Sequence, residues 1–249
     1  MTDSVIFTSC NVDYLNKFLK GFVASSVDAG LKNRFVIDVH STNQSLDLPI
    51  IETTKKHFSN FNFVVRSTEY LPNSTWTDIR TYWACRRYLL LPEMIKMYKK
   101  VWVTDIDVIF LKQFPIINNQ LAYAISDSKI SKTAPAEEQE RRKIGTIVKA
   151  DMIYVDERFY DNAVRIQQEI LSSDKQWFAD QIALYTVFKD ITDYQRLPSS
   201  THRRSLLGEL IEQPYLISPG GMKWKKRAEF KEELSKYSRM FDTITKECN

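Results

Sequence analysis

Short runs of β-branched and aromatic residues alternate with helical patterns through the amino-terminal half of the chain, and this alternation constrains the fold more than any other feature. "SVIFTSC" (Ser4–Cys10), "RFVIDVHS" (Arg34–Ser41), "FNFVVRS" (Phe61–Ser67) and "VWVTD" (Val101–Asp105) read as strands. Between the first two, Leu15, Phe18, Leu19, Phe22 and Val23 have the spacing of an amphipathic helix over Val12–Val27. Helices are also predicted through Leu48–Phe58 and through "DIRTYWACRRYLLL", the latter capped by Thr77 or Asp78. Pro92 interrupts that pattern, so "EMIKMYKK" reads as a second, bent helical piece. Such strand–helix–strand repetition makes an α/β fold whose sheet is mostly parallel and covered on both faces. Ligands of such sheets bind beyond the carboxyl ends of the strands.

The second half is more mixed. "LAYAISDS" (Leu121–Ser128) reads as a strand, followed by a polar stretch with a short helix at Glu137–Arg142. "TIVKADMIYVDERF" is a strand or a pair of strands, and helices are predicted over Phe159–Leu171 and Asp180–Phe188. "PYLISPGGMKW" reads as a strand entering a glycine turn, and Trp224–Met240 as a charged helix. With no repeat, low-complexity tract or linker, one domain over 1–249 is the simplest organisation.

A chain of 249 residues with 43% hydrophobic content has material for a sizeable core. Its formal net charge of +4 is too mild to imply nucleic acid as a partner, while leaving room for a local basic pocket. Cys10, Cys85 and Cys248 are far apart and form no C-x-x-C pair, which points to a reducing compartment. No signal peptide is evident and no apolar segment approaches the roughly 20 residues of a membrane helix. A cytoplasmic protein without an integral membrane segment is therefore expected.

Within "KKVWVTDIDVIF" two aspartates, Asp105 and Asp107, stand between apolar runs. Unpaired carboxylates in such a setting are costly, so they belong at the rim of the sheet, where a ligand lies. On an extended strand the two side chains share a face, about 7 Å apart, with Ile106 turned away. A slight turn would bring both onto one hard divalent cation, Mg²⁺ or Mn²⁺, which typically keeps waters and also binds substrate phosphates. A pair of solvated residues at a strand terminus is the plainer alternative.

"YLLLPEMIKMYKKVWVTDIDVIFLKQF" resembles the central segment of metal-dependent GT-A glycosyltransferases, in particular the family of glycogenin and the bacterial lipopolysaccharide galactosyl- and glucosyltransferases. "VIFTSCNVDYLNKF", "WFADQIALYTVF" and "SPGGMKW" resemble, in order, its opening strand and nucleotide loop, its D-Q helix start and its glycine–lysine–tryptophan loop. The resemblance implies a Rossmann-like GT-A fold, with a nucleotide-binding half over 1–110 and a sugar and acceptor half over 111–249. It implies a nucleotide-sugar donor, UDP-linked, an acceptor glycan or other hydroxyl compound, and retention of anomeric configuration. Asp105 and Asp107 would hold Mn²⁺ or Mg²⁺ on the donor diphosphate, and Ile106 joins Asp105 in the donor-binding set. Thr8, Cys10 and Tyr14 match the loop that grips base and ribose, although Tyr14 equally suits a helix-face core position. Arg80 and Arg87, seven residues apart, share a helix face that the resemblance turns toward the donor, whereas Arg86 reads as solvated. Asp180 would bind sugar hydroxyls or sit near the anomeric carbon, or serve as an N-cap. Lys223 would meet the leaving phosphate, with Gly220 and Gly221 allowing close backbone approach. The basic run that follows Lys223 reads mostly as a solvated helix face.

Two positions depart from the family pattern. Ile217 occupies the place of its third metal ligand, a histidine, while His202 lies elsewhere in a polar stretch. Lys149 and Asp151 stand where small or amide residues line the sugar pocket. A non-catalytic nucleotide- or glycan-binding protein on a degenerate scaffold is therefore a second reading, and an aspartyl-nucleophile phosphatase, with Asp105 attacking phosphorus, a third. The polar segment Ser128–Lys143 is a candidate acceptor-side flap.

Overall fold

The computed structural model describes residues 4–41, 48–67, 76, 79–125, 147–176, 178–198, 214–219, 225–226 and 228–247. The amino-terminal alternation forms as expected: β1 (Val5–Asn11), α1 (Val12–Asp28), β2 (Arg34–Ser41), α2 (Pro49–His57), β3 (Phe61–Ser67), α3 (Ile79–Leu89), α4 (Leu91–Tyr98) and β4 (Lys100–Thr104). α3 stops at Leu89, and Pro92 falls in the first turn of α4, where its missing N–H removes no helical bond. Thr77, Asp78, Ser128–Lys143, His202, Gly220, Gly221, Lys223 and Cys248 lie outside the described residues.

The remaining elements are β5 (Ile109–Phe110), β6 (Leu121–Ile125), β7 (Val148–Asp156), a 3-10 turn at Glu157–Phe159, α5 (Tyr160–Ser172), α6 (Ala179–Phe188), β8 (Tyr194–Leu197), β9 (Leu216–Ile217) and α7 (Ala228–Glu247). "TIVKADMIYVDERF" is thus one strand and a turn rather than a pair of strands. The seven-stranded sheet has the order β3-β2-β1-β4-β7-β6-β8. β1 to β4 are mutually parallel, β7 runs against both β4 and β6, and β8 is parallel to β6. β5 and β9 form a separate antiparallel pair in which Ile109 faces Ile217.

Strand alternation sends Ile6, Cys10, Trp102 and Tyr154 to one face of the sheet, with side chains of α1, α2 and α7. Val5, Phe7, Val101, Val103, Ile153 and Val155 go to the other, with α3, α4, α5 and α6. The parallel strands β1 and β4 end side by side, so Asn11, the first turn of α1 and the residues after Thr104 meet at one rim. No described helix is long and apolar enough to cross a membrane.

Candidate active site

Asp105 and Asp107 lie just beyond β4, in a turn between it and β5, rather than on the strand itself. The turn separates their partners. Asp105 pairs with Arg87 of α3, on one side of the sheet. Asp107 pairs with Lys225, whose ammonium also donates to the Tyr14 hydroxyl of α1 at 3.0 Å. Ile106 and Val108 are buried in the core and pin the turn from both ends. Ile106 accordingly offers a ligand only its backbone.

Arg87 is the hub of the α3 side. Its side chain is 7% exposed; besides Asp105 it reaches Asp180 Oδ2 at 3.6 Å and donates to the Ala150 carbonyl at 3.3 Å. Tyr88 donates to the same carbonyl at 2.7 Å, joining α3 to β7. Asp180 is buried in the first turn of α6, not at its cap; Phe178 holds the N-cap position at φ 73°, in the left-handed region. The Asp180 carboxylate accepts from its own N–H and that of Gln181, so it serves the helix end from inside. Arg80, two turns before Arg87, is exposed.

The charges explain the titration of these groups. Burial pushes the Asp105 carboxyl up to about 7, Arg87 opposing the rise and the negative charges of Asp107 and Asp151 adding to it. Burial also raises Asp180, against the pull of Arg87. Burial alone would lower Lys225, but Asp107 and the Tyr14 hydroxyl hold it above the ordinary lysine range. Asp151, the acid at an expected small or amide position, is buried near Asp105 and joins this negative cluster.

The other sequence-predicted positions divide. Tyr14 is set by Asn11, whose Oδ1 accepts from the Tyr14 N–H at 2.9 Å at the start of α1. Thr8 is fully buried and its hydroxyl has no hydrogen-bond partner among the described residues. Cys10 is buried in the core, its thiol pushed far up by burial, so its contribution to a ligand is limited to the backbone. Ile217 is buried opposite Ile109, an apolar side chain where a third metal ligand was expected.

Two corrections concern basic residues read as solvated. Arg86 Nε lies 3.1 Å from His40 Nε2 and 3.5 Å from Asp38 Oδ2, close enough for its charge to act on the Asp38 carboxylate. Asp38 is nearly inaccessible and also receives His40 at 2.7 Å, Arg66 at 2.6 Å and the Ser9 hydroxyl at 3.0 Å. Burial would raise its carboxyl; the hydrogen bonds from His40 and Arg66 and the charge of Arg86 outweigh burial and leave it below the usual range. Lys225 is 12% exposed, not part of a wet helix face.

The donor set suits a hard divalent cation. Asp105, Asp107 and Asp151 gather negative charge near the turn, which adds to the effect of burial on Asp105. Among the described residues no group of three or more His, Cys, Asp and Glu is arranged around one metal position. Two carboxylates from the protein, with substrate phosphate and water completing the shell, match the habit of Mg²⁺ and Mn²⁺.

No protein-family model and no curated protein matches the chain. Solved structures do. The glycosyltransferase GlyE of Streptococcus pneumoniae TIGR4 superposes with a TM-score of 0.60 at 14% identity, over 98% of this chain and 63% of that one. The bifunctional glycosyltransferase WbbM gives 0.58 at 15% identity, over 97% and 51%. The galactosyltransferase LgtC, solved with donor and acceptor sugar analogues, gives 0.56 at 14% identity, over 94% and 95%. This chain has the GT-A glycosyltransferase fold. It spans about 63% and 51% of the lengths of the GlyE and WbbM chains, and nearly all of the LgtC chain.

Proposed function

We propose that the protein transfers a sugar from a UDP-linked donor to the hydroxyl of an acceptor glycan or related compound, with retention of configuration. The observation that carries this reading is the convergence of Asp105, Asp107, Arg87 and Asp180 at the carboxyl end of β4, within a glycosyltransferase fold. Ligands of open α/β sheets bind at such ends.

Each residue then has a task. Asp105 and Asp107 would hold Mn²⁺ or Mg²⁺, which when bound neutralises charge building on the departing nucleoside diphosphate. Arg87 fixes the orientation of Asp105 and Asp180 at once, because its guanidinium spans both. Asp180 accepts hydrogen bonds from donor-sugar hydroxyls close to the anomeric carbon. Tyr14 and the backbone of Thr8 and Cys10 contact base and ribose, Arg80 reaches the donor from the exposed start of α3, and Lys223, with Gly220 and Gly221, meets the leaving phosphate. The acceptor oxygen attacks the anomeric carbon as its bond to phosphate oxygen breaks, and the acceptor proton leaves with the diphosphate. We read 1–249 as one catalytic unit acting in the cytoplasm.

A binding protein on a degenerate scaffold is the second reading. It is favoured by Ile217 at the third-ligand position and by the prior engagement of both aspartates with Arg87 and Lys225. A screen of UDP-, GDP- and CDP-sugars with Mn²⁺, reading thermal shift and donor hydrolysis together, separates the two. A UDP-sugar that both stabilises and is slowly hydrolysed supports the transferase; stabilisation without hydrolysis supports the binding module. A shift with none of the donors contradicts the transferase and the nucleotide-binding module.

A further inference from the structure

Lys225 has no part in the mechanism above, yet it is seated more carefully than a surface lysine. Its ammonium pairs with Asp107, donates to the Tyr14 hydroxyl at 3.0 Å, and stands 4.6 Å from the Tyr14 ring centroid and 5.6 Å from that of Phe18. Carboxylate, phenol and two aromatic faces therefore surround one cation, a combination that favours its charged form even where water is largely excluded. The seat is built from the β4–β5 turn and the first turns of α1, the two elements that meet at the rim.

The contrast with Arg87 is instructive. Arg87 has Asp180 and the Ala150 carbonyl in addition to Asp105, so it stays anchored whatever happens at the turn. Among the described residues Asp107 is the only carboxylate paired with Lys225, which otherwise holds a neutral hydroxyl and ring faces. A flexible side chain with one ionic partner is a displaceable cation.

Asp107 cannot serve two cations equally well. An ammonium in contact with the carboxylate occupies part of its lone-pair space and cancels much of the potential that a second cation would feel. We infer that Lys225 is a resident competitor for Asp107, occupying the divalent-cation position of the turn in the nucleotide-free protein and yielding it when a negatively charged diphosphate arrives. The inference rests on the reading of Asp105 and Asp107 as the metal site. It predicts a protein that binds free metal poorly and the metal–nucleotide pair well. It also ties the segment before α7 to the state of the turn.

The test is calorimetric titration with MnCl₂ alone, without nucleotide, on the wild-type protein and on Lys225→Gln, Lys225→Arg, Tyr14→Phe and Asp107→Asn. Lys225→Gln should bind Mn²⁺ at least about tenfold more tightly than wild type, since a contact charge has been removed. Lys225→Arg, which keeps the charge, should stay within about twofold of wild type. Tyr14→Phe removes one hydrogen bond from the ammonium and should tighten Mn²⁺ by roughly two- to tenfold. It decides the matter if Lys225→Gln melts too low to titrate. Equal or weaker Mn²⁺ binding by Lys225→Gln, or by Tyr14→Phe in its place, overturns the competition while leaving the metal site standing. Binding that survives Asp107→Asn, or is missing from every variant, overturns the metal reading and the inference with it.

Discussion

At the scale of single residues, Arg87 and its neighbour Arg86 show how one turn of helix can serve two sites. Arg87 compensates Asp105 and Asp180, while Arg86 compensates Asp38 beside His40. Removing one partner of a buried ionic group leaves the other uncompensated, which costs more than the pair itself contributes. Arg87→Met should therefore destabilise the fold by about 3–5 kcal/mol, seen as a lower urea midpoint, with Arg87→Lys recovering part of the loss. A change under about 0.5 kcal/mol would mean that Asp105 and Asp180 do not depend on it. Asp38 gives a pH prediction with a definite sign. Its folded carboxyl titrates below the ordinary value of 3.8, so its stabilising contribution is complete above that pH and is lost as pH falls through the folded pKa. The stability gap between wild type and Asp38→Asn should be widest near neutrality and shrink below about pH 4. A gap that widens on acidification contradicts the ion-pair account of Asp38.

At the scale of elements, α7 closes one face of the sheet against α1. Phe230, Tyr237 and Phe241 are its buried aromatic residues, and Phe241 stacks on Phe58 with ring centroids 5.6 Å apart. Gly21 permits the approach on the α1 side: a Cβ there would meet Leu234 Cδ1 at 2.5 Å. Because that atom ends a flexible side chain, Gly21→Ala should be tolerated within about 1 kcal/mol. Phe241→Ala should cost about 3–5 kcal/mol in urea unfolding, and a smaller loss would show that α7 is loosely docked. Much of this layer was legible in the sequence, because α1 carries a helical period and β2 and β3 are runs of β-branched and aromatic residues. β5 was not, since two residues contain no period, and although β9 falls within the strand read in "PYLISPGGMKW", its pairing with β5 was not legible. Nor was the reversed direction of β7, which local sequence does not encode. At the site, Asp105 and Asp107 stood out because acids interrupting an apolar run need a reason. Arg86 was misread because its partners come from β2, distant in the chain, and Lys225 because every residue of the basic run after Lys223 looks equally solvated.

At the scale of the molecule, one seven-stranded sheet crosses the boundary between the proposed nucleotide half, 1–110, and the proposed sugar half, 111–249: β4 is hydrogen-bonded to β1 on one side and β7 on the other. Urea unfolding should accordingly be a single cooperative transition, with tryptophan fluorescence and far-ultraviolet circular dichroism superimposing. Two separated transitions would contradict the single-unit reading. The account as a whole turns on whether the Asp105–Asp107 turn holds a cation that holds a diphosphate. Calorimetric titration of UDP into the protein, with Mn²⁺ and then with chelator, measures this most directly. The account predicts binding with Mn²⁺ that weakens at least about tenfold in chelator and is lost in Asp105→Asn/Asp107→Asn. UDP affinity that is unchanged by both treatments would contradict it.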